Sequence, residues 1–219
     1  MRKVFVDCGA NEGQSIDLFI NSWDDAIEYK IYSFEANKEF KKKLESKKEF
    51  YNSKGYDLEI NVPVAVWDRE TENELGLYGY EESAVVLEDT DREYNPFRNN
   101  KGKGSRGLVA SSVRLSTWIL KNFVLSDHIV LKLDVEGSEY RLVEDLYATN
   151  ALAYIDDFFY EWHGPKKGFT FRDDMKLLNT LKEQGVTPYV WNGNHTTLNM
   201  VEVDEPRIRR WYARKGFKI

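Results

Sequence analysis

The feature that most constrains this chain is a short apolar run that breaks into a glycine turn within its first thirteen residues. Val4-Phe5-Val6 has the length and apolarity of a buried parallel strand, and it runs into Asp7-Cys8-Gly9-Ala10-Asn11-Glu12-Gly13. Ile16, Phe19, Ile20 and Trp23 follow at helical spacing. Strand, tight turn and helix in that order make the first half of a βαβ unit. Gly9 and Gly13 permit the bend and keep a Cβ from standing between the backbone and a ligand. The helix start offers unpaired N–H groups and a positive dipole end, which suit a carboxylate. The turn lacks the middle glycine of the dinucleotide fingerprint and the Gly-Lys-Ser/Thr ending of a phosphate-binding loop.

The alternation continues along the chain. Residues 30–34 read as a second strand closed by Glu35, and residues 38–50 as a polar, lysine-rich outer helix. Residues 58–66 read as a third strand, in which Pro63 favours an edge or irregular position. Periodicity then weakens. Residues 75–80 and 84–87 are expected as short added strands, and the polar stretch 90–107 as a mobile loop, the pattern of a lid or of plain disorder. Order returns at residues 108–115, before a short helix opened by Ser116 or Thr117. Residues 128–133 and 153–160 read as strands. Residues 138–147 and 173–184 read as helices, the second closed by Gly185. A hairpin of residues 186–191 and 196–203, joined through Asn192-Gly193-Asn194, is expected to complete the sheet. A terminal helix over residues 205–214 follows, with Pro206 near its start. This order predicts an α/β fold: a Rossmann-like, mostly parallel seven-stranded sheet with a C-terminal antiparallel hairpin and helices on both faces.

Composition narrows the partners. The chain carries 31 basic and 37 acidic residues, a net charge of -6, so nucleic acid is not an expected partner. The lysines at 41–43 and 47–48 and the basic stretch 207–218 read as solvated helix faces. There is neither an apolar stretch long enough to span a membrane nor a signal peptide. The single cysteine, Cys8, excludes an internal disulfide and fits a reducing, cytoplasmic setting. With no histidine near it in sequence, it is expected to pack rather than react. The 219 residues fit one α/β domain, residues 1–219, with a mobile insert around 68–107. A start two residues before a strand is the pattern of a minimal domain or of a module from a longer polypeptide.

Open α/β sheets bind ligands beyond the carboxyl ends of their strands, and the unusual polar residues Asp7, Glu35, Asp134 and Glu161 all fall there. Asp7 is placed to hold the amino group of a methionine moiety, directly or through water. Glu35 lies at about the twenty-residue offset at which an acid accepts hydrogen bonds from ribose hydroxyls, in NAD and S-adenosylmethionine alike. A helix-cap neighbour would look the same. The most distinctive stretch is Lys132-Leu133-Asp134-Val135-Glu136-Gly137-Ser138-Glu139. A lysine inside an apolar strand needs water or an acid for its head group. Asp134 and Glu136 repel one another unless they share a cation, a proton or a hydroxyl-bearing substrate. Glu139 sits favourably at a helix start. Capping and solvation are the bland account of all three acids. Glu161-Trp162-His163 ends the next strand on the same rim. His163, one of three histidines, is the residue type that takes a proton from a hydroxyl near neutral pH. Asp134 and Glu161 are also able to share a divalent metal through oxygen ligands. Trp162 reads as packing or as a substrate platform.

Four blocks carry a family resemblance: Phe5-Val6-Asp7-Cys8-Gly9-Ala10-Asn11-Glu12-Gly13, Phe34-Glu35-Ala36-Asn37, Ala65-Val66-Trp67-Asp68 and Leu131-Lys132-Leu133-Asp134-Val135-Glu136-Gly137-Ser138-Glu139. In this order and spacing they resemble the FkbM family of class I, S-adenosylmethionine-dependent methyltransferases, over most of the chain. The family's acid-Pro-Asn pattern stands here as Glu35-Ala36-Asn37, and the extra N-terminal residues of most members are absent. The resemblance implies a Rossmann-like sheet with a reversed final hairpin. It also implies methyl transfer to oxygen, commonly a hydroxyl of a sugar or natural-product scaffold, with a terminal deoxysugar such as rhamnose among the acceptors. Related sugar O-methyltransferases often use magnesium, which would fall to Asp134 and Glu161.

Residues and resemblance together give one working assignment. S-adenosyl-L-methionine is expected at Asp7, Gly9, Asn11, Gly13, Glu35 and Ala36, with Ala65, Val66 and Trp67 near the adenine. A sugar or glycan hydroxyl is expected at the rim of Asp134, Glu136, Glu161 and His163, with His163 as base and Asp134 next in line. Glu82, Ser83, Trp162 and the 90–107 loop are expected to choose the acceptor, and the chain to serve within a larger glycan-modifying polypeptide. Two other readings stay open. An NAD-dependent oxidoreductase would share the first half, although the missing middle glycine counts against a pyrophosphate there. A binding module would keep the fold and lack catalysis.

Overall fold

The apolar run and glycine turn that open the chain become strand β1 (Lys3–Cys8) and the approach to helix α1 (Gln14–Ser22). The computed structural model describes residues 1–78, 85–86, 108–164, 168–191, 198 and 200–217. After α1 come β2 (Tyr29–Phe34), α2 (Lys41–Ser53), β3 (Asp57–Asn61) and β4 (Val64–Trp67). β5 (Thr71–Tyr78), β6 (Val85–Val86), β7 (Leu108–Arg114) and α3 (Leu115–Asn122) follow. The remainder is β8 (His128–Leu133), α4 (Glu139–Ala148), β9 (Asp157–Tyr160), α5 (Phe171–Glu183), β10 (Pro188–Val190) and α6 (Glu205–Lys215).

Six of these strands form one sheet in the order β10-β9-β8-β1-β2-β3, and every pairing in it is parallel. Alternation along each strand divides the core between two faces. Val4, Val6 and Cys8 pack on one face with Leu131 of β8, Leu142 of α4, Leu177 of α5 and Ile208 of α6. Phe5 faces the other way, among Ile31, Val130, Phe19 of α1 and Leu44 of α2. Phe5 and Phe19 stack with their ring centroids 4.1 Å apart. Each such fully buried side chain contributes about 1.5–3 kcal/mol through the apolar surface it removes from water. The Rossmann-like α/β architecture read from the sequence is therefore present, with helices on both faces.

The expected third strand, 58–66, is divided. β3 stops at Asn61, and the chain passes through Pro63 into β4, which belongs to a second sheet of order β4-β7-β5-β6. Proline has no N–H for a ladder and a fixed φ, so the main-sheet strand ends before it. The segment stays close by, because Glu35 N–H donates to Asn61 O and Val64 N–H to Glu35 O, at 3.0 and 2.8 Å. The two added strands expected after residue 75 appear as β5, which begins earlier at Thr71, and β6. Residues 79–84 and 87–107, including Glu82, Ser83 and the expected loop, lie outside the described residues.

Three further boundaries shift. Ser116 does not cap α3; its hydroxyl donates to Asp145 of α4, where Arg114 also binds. Residues 151–154 form a 3-10 turn behind left-handed Asn150, so the strand expected from 153 begins at Asp157. At the sheet edge, β10 pairs with β9, and the returning segment pairs antiparallel with β10 through the Tyr189–Glu202 bridge; residues 192–197 and 199, with the expected Asn192-Gly193-Asn194 turn, lie outside the described residues. Asp204 caps α6, its side chain accepting the Arg207 N–H at 2.7 Å, so the returning segment ends at Val203.

The end of β1 opposite the glycine turn is held by charge. The Arg2 side chain donates to Asp127, just ahead of β8, and the backbone N–H groups of Arg2 and Val124 also point at its carboxylate. The Arg2 hydrogen bond, opposed by burial and helped by the backbone donors, holds the Asp127 carboxyl down at about 2. Its folded value lies below the unfolded value of about 3.9. The stabilisation is therefore complete above about pH 4 and fades as pH falls towards 2. Thermal melts of Asp127→Asn are expected to fall a few degrees below wild type at pH 7, with the gap closing near pH 2. A gap that does not vary with pH would contradict an ionic origin.

Candidate active site

The site begins with a polar row buried across three strands. Register places Ser33 of β2 beside Asp7 of β1, and Asp7 beside Lys132 of β8. Asp7 Oδ2 accepts from Ser15 Oγ of α1 at 2.6 Å and from Ser33 Oγ at 3.1 Å. Lys132 Nζ lies 3.1 Å from Asp7 Oδ1 and 3.5 Å from Asp134 Oδ2, and donates to the Gly9 carbonyl at 2.7 Å. Both Lys132 and Asp7 are closed to solvent. Burial works against the ammonium, but the charges of Asp7 and Asp134 outweigh it and hold Lys132 above its ordinary range. The lysine that sat oddly in an apolar strand is thus a buried cation beneath the turn. Asp7 is engaged from below the turn by Ser15, Ser33 and Lys132.

Above this pair, the turn fits against two neighbours. A Cβ placed on Gly9, whose φ is +82°, would lie 1.9 Å from the Asp134 carbonyl oxygen. Only glycine lets the turn press against the end of β8. The N–H groups of Gly9 and Ala10 both donate to Phe34 O at 3.0 Å. Glu35 then clamps the turn from the side: one carboxylate oxygen accepts the Asn11 N–H and the other the Asn37 N–H, each at 2.7 Å. Burial raises the Glu35 carboxyl, with the two N–H donors pulling the other way. Each oxygen keeps a second acceptor position.

Three buried polar atoms in or just after strand ends lack hydrogen bonds. Asn11 Oδ1, Trp67 Nε1 and Asp68 Oδ1 are buried with no hydrogen-bond partner among the described residues. Buried polar groups are normally satisfied, so these atoms keep hydrogen-bonding capacity that the described residues do not use. Ala36 packs against the small apolar cluster of Ala65, Trp67, Leu75 and Ala110, giving the same place a flat apolar side. Val66 alternates away from it into the large core. Gly13, at φ +85°, opens α1 without a side-chain cap.

The second half of the site is the rim at the ends of β8 and β9. Glu139, read from the sequence as a helix-start acid, is 1% exposed. Its carboxylate accepts the N–H groups of Val135 and Gly137, each at 2.9 Å, and so shapes the loop. The same carboxylate meets His163 Nδ1 at 2.9 Å. His163 is 4% exposed. Its Nε2 faces Glu136 Oε2 at 3.6 Å, Asp134 Oδ1 at 3.8 Å and Glu161 Oε1 at 4.0 Å. Glu136 is held at φ +56°, a rare conformation for a residue with a Cβ. Burial alone would lower the imidazole; Glu139, then Glu136 and Asp134, reverse this and raise it to about 9. Burial and then the charge on Asp134 raise Glu161 to about 7.

Trp162 parts from this group. Its Nε1 donates to buried Asp174 at 2.8 Å and its ring packs on Trp211 of α6, centroids 4.7 Å apart. Asp174 also accepts from the Tyr140 and Tyr212 hydroxyls. The structure therefore gathers Asp134, Glu136, Glu161 and His163 into one rim, and sets Gly9, Asn11, Glu35, Ala36, Ala65 and Trp67 beside it. Glu139 is the site residue whose importance the sequence reading missed. Its one signal was position, an acid following Gly137-Ser138 at the foot of a helix.

A parallel sheet with helices on both faces and a glycine turn after its first strand defines a Rossmann-like α/β protein. The model of the methyltransferase FkbM domain family matches residues 7–218. The chain belongs to the FkbM methyltransferase family. No curated protein and no solved structure gives a significant match. No helix among the described residues is long and apolar enough to cross a membrane.

The two glycines of the turn should respond differently to alanine. Gly9→Ala meets rigid backbone and is expected to cost about 3 kcal/mol or more. At Gly13 the added Cβ meets the flexible stem of Lys47 at 2.7 Å and Ile16 Cδ1 at 3.3 Å, with no backbone atom among its nearest neighbours, so the left-handed backbone dominates and about 1–2 kcal/mol is expected. Urea titration of the two variants checks the order. Equal losses would show that Asp134 does not press on the turn.

Proposed function

We propose that the protein transfers a methyl group from S-adenosylmethionine to a hydroxyl of a sugar or glycan. The observation that carries this reading is the shared wall between the glycine turn and the acidic rim, where Gly9 meets the Asp134 carbonyl with no room for a Cβ. A ligand cradled by the turn then lies next to groups suited to a hydroxyl.

On this reading Glu35 uses its remaining acceptor positions for the ribose hydroxyls. Ala36, Ala65 and Trp67 flank the adenine. Asn11 and the α1 start take the polar methionine end, and Asp7 supports them through Lys132 from beneath. When bound, S-adenosylmethionine would supply a sulfonium methyl, open to in-line attack by the hydroxyl oxygen with the thioether as leaving group. The protein's main work is therefore to position the acceptor. Asp134, Glu136, Glu161 and His163 hold its hydroxyl. Being in mutual contact, they take up its proton as one coupled group rather than as four independent residues. A rim of several acceptors with one imidazole suits the many hydroxyls of a carbohydrate. The family resemblance makes a terminal deoxysugar such as rhamnose a first acceptor to try. A buried, unpaired Cys8 accords with a reducing, cytoplasmic setting.

Calorimetry with S-adenosylhomocysteine and with NAD separates this reading from an oxidoreductase. Binding of the first and none of the second is expected, and the absence of heat with S-adenosylhomocysteine would overturn the proposal. Glu35→Ala is expected to weaken that binding about 10- to 100-fold, the effect of losing hydrogen bonds to a charged acceptor. With methyl-labelled cofactor, label should then enter a sugar or glycan oxygen in an acceptor screen; transfer to nitrogen alone would contradict the acceptor class.

A further inference from the structure

We infer that Asp134, Glu136 and His163 form a binding site for a divalent first-row transition metal ion, of the manganese-to-zinc series, with His163 Nε2 as the nitrogen ligand. The inference is argued from the geometry of the rim, and it deepens the methyl-transfer reading by setting an ion between these residues and the acceptor hydroxyl. One ligand atom from each of the three residues lies within 4.8 Å of the other two. His163 is almost wholly buried, yet Nε2 has no hydrogen bond among the described residues; its nearest oxygens stand 3.6 and 3.8 Å away. Those separations are too long for hydrogen bonds. They suit donors that share one ion at about 2.0–2.2 Å from each.

The surroundings of His163 point the same way. A metal-bound histidine usually gives its other ring nitrogen to a carboxylate, which fixes the ring and its tautomer. Here Glu139 meets Nδ1 at 2.9 Å and is itself anchored by two backbone N–H groups. That second carboxylate is buried on the far side of the ring, where it directs Nε2 outward into the acids. Glu136 is brought in by a left-handed backbone residue next to Gly137, itself at φ +105°. Glu161, 42% exposed and 4.0 Å from Nε2, stands on the open side, where a further ligand or an acceptor hydroxyl has access.

The donor set also selects the ion. Magnesium favours oxygen ligands and retained water, and the pair suggested by resemblance, Asp134 and Glu161, would satisfy it. A buried imidazole nitrogen aimed into the same space favours the transition series instead. An ion held there would orient a hydroxyl and offset its charge on deprotonation.

The test uses the full chain, stripped with a chelator and titrated calorimetrically with Zn²⁺, Mn²⁺, Co²⁺ and Mg²⁺, with the visible spectrum of the Co²⁺ form as a second readout. One equivalent of each transition ion should bind, with Mg²⁺ at least about 100-fold weaker. His163→Ala and Asp134→Asn should each lower transition-ion affinity by about 100-fold or more, and Glu139→Gln by about 10- to 100-fold at unchanged stoichiometry. His128→Ala is the control, since His128 lies beside Asp156 and Asp157 at the other end of β8. Circular dichroism establishes that each variant is folded, and His163→Gln replaces any that is not. No binding, binding unaffected by the His163 and Asp134 variants, or loss with His128→Ala instead would overturn the assignment. Binding of S-adenosylhomocysteine, measured on the same stripped protein, reports separately on the cofactor reading.

Discussion

The buried pair of Lys132 and Asp7 is the interaction on which the rest of this site depends. Removing two charges from water costs several kcal/mol each, and their attraction offsets this only with good geometry and further hydrogen bonds. Here the further bonds are supplied: two serine hydroxyls on Asp7, and the Gly9 carbonyl for Lys132. One ion pair thereby ties β1, β2, β8 and α1 together at the point where the first strand turns. It also reaches Asp134. The glycine turn and the acidic rim are neighbours because the same ammonium group sits under both.

Above that pair, two carboxylates perform the same physical task in the two halves of the site. Glu35 accepts backbone N–H groups from Asn11 and Asn37, and Glu139 accepts them from Val135 and Gly137. Each shapes a loop that would otherwise leave buried donors unpaired. They differ in what remains. Glu35 keeps acceptor positions on the side of the turn, while Glu139 turns its remaining capacity to His163. One is left with capacity for a ligand in the proposed reading; the other sets the direction of an imidazole.

Much of this was legible in the sequence because strands and helices announce themselves by period. The polar residues that break the period, Asp7, Glu35, Lys132, Asp134 and Glu161, all stand where the strands end. The division at Pro63 was legible only as an irregularity, since nothing local tells a bend within one sheet from a passage into another. The roles of Glu136 and Glu139 were harder to see. They lie three residues apart in one acidic stretch, and left-handed Glu136 and Gly137 decide which acid faces the rim and which is buried behind it. Trp162, read as packing or as a platform for substrate, packs with α6 because Asp174 needs a third donor, a demand that arises only in the folded chain.

The central claim is that a cofactor lies across the ends of β1, β2 and β4, against the wall shared with Asp134. Amide hydrogen exchange with and without S-adenosylhomocysteine measures this directly. Slowed exchange should appear at residues 9–13, 35–37 and 66–69, with the opposite strand ends around Arg2 and His128 unchanged. Protection confined to other segments, or none at the glycine turn, would contradict it.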